Sequence, residues 1–370
     1  MLRRIKEKIS RGFFTMASSP CTPTPPSMAS RMAGARLPDK SIDIEAVIKQ
    51  QEMARDLPLP SLSAGQISAC KNALKLLKQK SKSSSGRGVI DREFDTLQGE
   101  KMLNYKALSS TTVAVMSNNR AKNRYIDVLP YDITRVILDK RHYDPTCSDY
   151  INASFVQDNA HEDLPRYIAT QGPLPSTVSD FWTMVLQQRC PVIIMLVGVV
   201  DGDQSKYAHY FPRSENQSET FGHIVVLNKK MSHSQHGITR RVFEVKDIKS
   251  PEPPMTLAHY EYLEWSDYGV PDSTRSVCEL IRASFCIPPS AGPFVVHCSA
   301  GIGRTGTYCT IDHTLRRIME GDLEAVDIGN TVRNFRSQRH GMVQTRDQYR
   351  FCYEVVIKEL ESYVSAGPQT

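Results

Sequence analysis

Apolar and polar positions alternate with readable periods from Leu62 onward. Ile67, Cys70, Leu74 and Leu77 recur at helical spacing and predict an amphipathic helix. The polar run from Ser81 to Gly88 separates it from a second helix marked by Ile90, Phe94 and Leu97. Strand-like runs follow at Thr134–Leu138, Ile151–Val156 and Tyr167–Thr170. Ser176 is placed to cap a helix running to Gln188, and Pro191–Gly198 returns as a buried strand. His223–Leu227, Arg240–Val245 and Thr256–Trp265 read as further strands. Ser273–Phe285 is helical, with Val277, Leu280 and Ile281 on its apolar face. The strand Pro293–Val296 and the helix opening at Thr307 precede two last helices, Asp327–Arg339 and Arg346–Tyr363. Long strands mixed with helices gathered toward the end predict an α/β domain on one large mixed sheet.

Residues 1–60 follow another pattern. Met1 to Phe14 is basic, with Arg3, Arg4, Lys6, Lys8 and Arg11 against Glu7, and Leu2, Ile5, Ile9 and Phe13 fit one helical face. The Ser/Thr/Pro stretch from Ala17 to Pro26 has too little apolar content for a core. A transit peptide, a short anchor for acidic membranes and a disordered tail all fit, and a tail is the expectation. Asp39 to Asp56 reads at most as a short helix. The expected division is a tail over 1–60, a helix and linker over 61–89, and a catalytic domain over 90–365.

Composition narrows the class. The formal charge of +6 suits anionic partners, but no basic stripe with interleaved aromatics points to nucleic acid. Nine scattered cysteines, with no CxxC pair, favour a reducing compartment over a disulfide framework or a zinc site. Pro191 to Val200, the longest apolar run, is about half of a membrane span.

The segment Val295-Val296-His297-Cys298-Ser299-Ala300-Gly301-Ile302-Gly303-Arg304-Thr305-Gly306 carries the chemistry. A strand ending in a glycine loop that opens into a helix aims successive N–H groups into one cavity and forms an oxyanion nest. The same field favours the Cys298 thiolate. Arg304, six residues on, can grip two phosphate oxygens at once. Thr305 brings a hydroxyl beside the sulfur.

This segment resembles the signature loop of the tyrosine-specific, cysteine-dependent protein phosphatases. The resemblance covers about residues 90 to 363 and is nearest to the non-receptor type in its single-domain plant cytosolic form. It implies one phosphatase domain on a highly twisted mixed sheet flanked by helices, with no cofactor and no metal. His297, Ser299, Ala300, Gly301, Ile302 and Gly303 then belong to the phosphate cradle and its support.

Four further motifs match. Trp265-Ser266-Asp267-Tyr268-Gly269 resembles the mobile acid loop; it implies Asp267 as general acid and Tyr268 as a pocket wall. A plain turn is the bland alternative. Ser266 stands where the family usually has proline, and lower turnover is the expectation. Gly341-Met342-Val343-Gln344-Thr345-Arg346-Asp347-Gln348 resembles the glutamine loop; Gln344 would orient water and Gln348 support it, while Thr345 can cap the last helix. Lys122-Asn123-Arg124-Tyr125-Ile126-Asp127-Val128 resembles the phosphotyrosine-recognition loop. Tyr125 would stack on the substrate ring and Asp127 accept from the peptide backbone. Asp201 to Pro212 resembles a loop whose Lys206 would pair with Asp267 or the phosphate, or stay a solvated charge. Asp201 replaces the usual glutamate expected to brace Arg304.

Arg339 and Gly341 resemble positions flanking a second phosphate site, which would suit doubly phosphorylated segments such as kinase activation loops. Phosphotyrosine-containing proteins, kinases among them, are the expected partners. The expected location is the cytoplasm, with the nucleus as a second compartment, and tail-mediated membrane contact is a secondary reading.

Overall fold

The computed structural model describes residues 42–53, 57–82, 88–100, 110–139, 148–197 and 206–368. Nine strands form one sheet: β1 (Arg135–Ile137), β2 (Tyr150–Val156), β3 (Tyr167–Thr170), β4 (Val192–Leu196), β5 (Ser218–Phe221), β6 (Ile224–His233), β7 (Ile238–Asp247), β8 (Met255–Tyr262) and β9 (Phe294–His297). Their order is β1-β2-β3-β9-β4-β8-β7-β6-β5. The central run β3-β9-β4-β8 is parallel, and antiparallel pairs extend it on both sides.

That parallel centre builds the site. Thr170 pairs with His297 and Leu196 with Tyr262, so the C-terminal ends of β3, β9, β4 and β8 share one rim. The chain leaves that rim as the segments after residues 170, 196, 262 and 297, which carry most of the motifs. Ligands of α/β sheets bind at such carboxyl edges.

Both faces of the sheet are covered, so its central strands are apolar throughout. Val192, Ile194 and Leu196 face one core with Phe294 and Val296. Ile193, Met195 and Val295 face the other with Phe181, Trp182 and Tyr210. The helices are α1 (Ile44–Met53), α2 (Ala64–Lys82), α3 (Val89–Glu100), α4 (Val178–Gln187), α5 (Arg275–Phe285), α6 (Gly303–Met319), α7 (Ile328–Gln338) and α8 (Arg346–Ala366). The α6 helix is buried along nearly its whole length, and part of its polar content is paired inside. Asp312 accepts from Tyr167 Oη at 2.5 Å and pairs with Arg316.

Three expectations change. Residues 44–53 and 57–60, expected in a tail with at most a short helix, pack on the domain: Ile44, Ile48 and Leu57 are core residues. Gln51 explains part of this, since its Nε2 donates to the Ala283 carbonyl at 3.2 Å and its Oε1 accepts from Tyr260 Oη at 2.9 Å. Glu45 and Glu52 pair with Lys229 and Lys230 on β6. Ser176 does not cap α4; it lies in a 3₁₀ turn, Pro175–Thr177, before the helix. The β5 strand was not foreseen, because Ser-Glu-Thr-Phe buries no residue fully and shows no apolar face. The basic segment, the Ser/Thr/Pro stretch and Asp201 lie outside the described residues.

Candidate active site

Cys298 follows directly on β9 and is 3% exposed. The loop after it turns at Gly301, where φ is +72°. A β-carbon there would sit 2.2 Å from the Thr170 carbonyl oxygen, so no other residue fits. The α6 helix starts two residues later and directs its N-terminus at the loop. The Gly301 amide donates to the Cys298 sulfur at 3.2 Å.

Arg339 holds the loop from behind. Its Nε donates to the Gly301 carbonyl at 2.8 Å and its Nη2 to the Ala300 carbonyl at 3.1 Å. The same guanidinium reaches Asn152 Oδ1 at 2.8 Å and Ser154 Oγ at 3.1 Å. Drawing those carbonyls backward leaves the loop amides free to face the cavity. Arg339 is therefore no part of an open second phosphate site: it is 1% exposed and fully engaged. Burial lowers it to about 10, which still leaves it charged at neutral pH.

Burial pushes the Cys298 thiol up, but the Arg304 charge, the Thr305 hydroxyl and the amides of Thr305 and Gly301 outweigh it. The thiol is held below the ordinary range. The Thr305 hydroxyl is buried without an oxygen or nitrogen partner, which leaves it to the sulfur. Burial pushes Cys70, Cys190, Cys278, Cys286, Cys309 and Cys352 the other way. His297 is pushed down to about 3 by burial and stays neutral. It shares a hydrogen bond of 2.8 Å with Tyr210 Oη, which also meets His259 at 2.9 Å.

The acid loop lies across the cradle. Arg304 Nη1 donates to the Trp265 carbonyl at 2.7 Å, and Nη2 pairs with Asp267 Oδ1. Lys206 pairs with the other carboxylate oxygen, one of the alternatives the sequence left open. Trp265 Nε1 donates to the Gly269 carbonyl at 2.9 Å and closes the loop on itself.

A small cavity of about 110 Å³ opens above the sulfur. It is lined by Tyr125, Asp127, Asp267, Tyr268, Cys298, Ser299, Ala300, Arg304, Gln344 and Gln348, which brings together most of the sequence-predicted site. Ile302 and Gly303 lie beneath it at the start of α6, and Val343 N donates to the Ile302 carbonyl at 3.0 Å. Tyr125 Oη meets Ser299 Oγ at 2.8 Å, fixing the ring beside the loop. Tyr268 is 67% exposed and forms the outer wall. Larger cavities exist, one of about 700 Å³ beside Arg275 and Lys358, but its Cys278 is a thiol raised by burial.

Sequence reasoning missed what fixes the recognition loop. Arg124 Nε donates to the Gly172 carbonyl at 3.1 Å and its Nη2 to that of Pro173 at 2.8 Å. Its backbone N donates to Gln171 Oε1 at 2.9 Å. Only its place beside Tyr125 hinted at this.

Fold and site together define a thiolate-dependent phosphatase. The profile of the protein-tyrosine phosphatase family matches residues 119–358. The chain is 43% identical over 308 residues to the protein-tyrosine-phosphatase PTP1 of Arabidopsis thaliana, across 83% of this chain and 89% of that one. It is 36% identical over 330 residues to the tyrosine-protein phosphatase non-receptor type 20 of Mus musculus, across 88% and 72%. The receptor-type tyrosine-protein phosphatase N2 of Mus musculus is 38% identical over 263 residues, 70% of this chain and 26% of that one. The chain belongs to the protein-tyrosine phosphatase family, whose members hydrolyse phosphotyrosine in proteins through a cysteinyl-phosphate intermediate. Among the described residues, no helix is long and apolar enough to cross a membrane.

Proposed function

We propose that Cys298 is the nucleophile of this phosphatase, Arg304 and the loop amides the phosphate cradle, Asp267 the general acid and Gln344 the orienter of water. The observation that carries the assignment is the Cys298 thiol: alone among the described cysteines it is held down, at the floor of the cavity that Asp267 and Gln344 line. The thiolate attacks phosphorus. Arg304 and the amides hold the equatorial oxygens as charge shifts in a loose transition state. An incoming phosphate competes with Asp267 for Arg304, so binding releases the carboxyl, which takes up a proton from solvent and then passes it to the tyrosyl oxygen. Asp267 then takes a proton from the water that Gln344 directs at the thiophosphate. No step needs a metal or cofactor.

Tyr125 and Tyr268 flank the substrate ring in this scheme. Asp127 accepts from the peptide backbone, Lys206 steadies the acid loop, and Gln348 supports Gln344. A slot walled by two tyrosines suits a phosphotyrosine ring and leaves phosphoserine short of the sulfur. The test is hydrolysis of p-nitrophenyl phosphate with vanadate inhibition. Cys298→Ser abolishes turnover but retains phosphopeptide binding. Substantial residual turnover in that variant would sink the assignment.

The catalytic unit begins at α1 rather than at residue 90, since α1 and α2 share its core. Kinases phosphorylated on their activation loops are proposed as targets on the resemblance alone, and Arg339 lends them no support. Asp267→Ala trapping of phosphoproteins, followed by their identification, tests this. A low-pKa thiolate suits the reducing cytoplasm and nucleus and is open to reversible oxidation. Activity that survives mild peroxide would contradict the redox part.

A further inference from the structure

Two side chains tie the acid loop to the glutamine loop. Thr345 Oγ1 donates to the Tyr268 carbonyl at 3.0 Å. Gln348 Nε2 donates to the Gly269 carbonyl at 3.4 Å, while its Oε1 accepts from the Gln344 amide at 3.0 Å. Tyr268 adjoins Asp267, and Thr345 adjoins Gln344. These bonds therefore join the neighbour of the acid to the neighbour of the water-orienting residue.

We propose that Thr345 is a positioning residue of the reaction. With Gln348 it forms a clasp that holds the acid loop over the pocket and seats Gln344 in the same event. The inference rests on the assignment of Asp267 and Gln344 made above.

Thr345 does more than cap a helix. As the N-cap of α8 it accepts from the Gln348 amide at 3.2 Å. A cap needs only an acceptor, whereas the bond to Tyr268 needs a donor. One hydroxyl fills both roles. Tyr268 has φ of +57°, a conformation uncommon for a bulky residue, and it is this residue whose carbonyl the clasp holds. The signature loop is fitted beneath. A β-carbon on Gly303 would come within 2.4 Å of Gln344 Oε1 and 3.2 Å of Gln348 Nε2. Acid loop, glutamine loop and signature loop thus meet at one point.

The two roles separate by substitution. Serine keeps cap and donor, aspartate keeps the cap but cannot donate, and valine loses both. The measurement is kcat and KM on a phosphotyrosyl peptide and on p-nitrophenyl phosphate, whose good leaving group needs the acid less, with thermal midpoints alongside. Thr345→Asp and Thr345→Val should lower kcat on the peptide roughly three- to tenfold, about what one hydrogen bond contributes. The loss on p-nitrophenyl phosphate should be smaller and KM nearly constant. Thr345→Ser should behave like the parent, and Thr345→Asp should keep the thermal midpoint. Parent-like peptide turnover in Thr345→Asp would overturn the clasp, as would equal losses on both substrates. Asp267→Asn provides the separate control. If it steepens the leaving-group dependence while Thr345→Asp does not, the clasp alone fails. If it does not, the assignment of the acid fails and the clasp goes with it.

Discussion

Arg339 Nε donates to the Gly301 carbonyl at 2.8 Å, across 38 residues of chain, from a side chain that solvent scarcely reaches. The bond joins the end of α7 to the turn of the signature loop. Arg339→Ala leaves the carbonyls of Gly301 and Ala300 buried and short of a donor. It should lower stability by about 2–4 kcal/mol and turnover by more than roughly tenfold. Chemical denaturation and steady-state kinetics measure the two. Arg339→Lys recovers little, since an ammonium cannot span these acceptors as a planar fork does. Because this arginine faces inward, singly and doubly phosphorylated peptides should be turned over equally. A marked preference for the doubly phosphorylated form would show a second phosphate site elsewhere.

The thiol of Cys298 should alkylate at a pH where the other described cysteines are inert. Its rate should rise through a midpoint below the ~8.5 of a free thiol. The sign follows from charge: Arg304 favours the thiolate, so Arg304→Ala should move that midpoint upward. Mass spectrometry after timed iodoacetamide exposure locates the label. Preferential labelling of Cys309 or Cys352 would contradict the electrostatic account.

Ser266 sits in the acid loop with its side chain exposed, and among the described residues its amide makes no hydrogen bond. Proline there removes no bond and narrows the loop ensemble, worth ~0.5–1 kcal/mol. Ser266→Pro should raise kcat on a phosphotyrosyl peptide about two- to fivefold. Unchanged or reduced turnover would show that loop entropy is not limiting.

Asp158 is held at about 2, chiefly by its hydrogen bond to the buried His313. A carboxyl lowered on folding stabilises the fold above its unfolded pKa of ~3.9, and that contribution is lost as pH falls toward the folded value. The stability gap between the parent and Asp158→Asn should hold from about pH 7 to pH 5 and narrow below about pH 4. Urea titrations across that range measure it. A gap independent of pH would assign the effect to packing rather than charge.

The sheet centre was legible because Val192–Leu196 and Phe294–Val296 are buried on both faces, which writes unbroken apolar runs into the chain. The β5 strand was not, since its pairing rests on backbone bonds to β6, and its side chains, mostly polar, are all at least partly exposed. The α1 helix was legible as a short helix but its docking on the core was not, because two isoleucines and the amide of Gln51 anchor it, too sparse a signal against its polar neighbours. That Cys298, Arg304, Asp267 and Gln344 would share one cavity was legible from residue type and order. The partners of Arg339, Arg124 and Thr345 were not, because each acts on carbonyl oxygens that every residue carries.

One consequence concerns the alignment of β9 beside β3. Phe294, Val295 and Val296 are apolar on either face, so the pattern alone would tolerate a slip of one residue. Such a slip would turn Cys298 to the opposite side of the sheet. Polar contacts at the strand end forbid it: His297 reaches Tyr210, and Gly172 N donates to the Ser299 carbonyl at 3.0 Å. The neutral histidine before Cys298 thus acts as a register pin, and fidelity of strand alignment, before any chemistry, decides on which side of the sheet that thiol emerges.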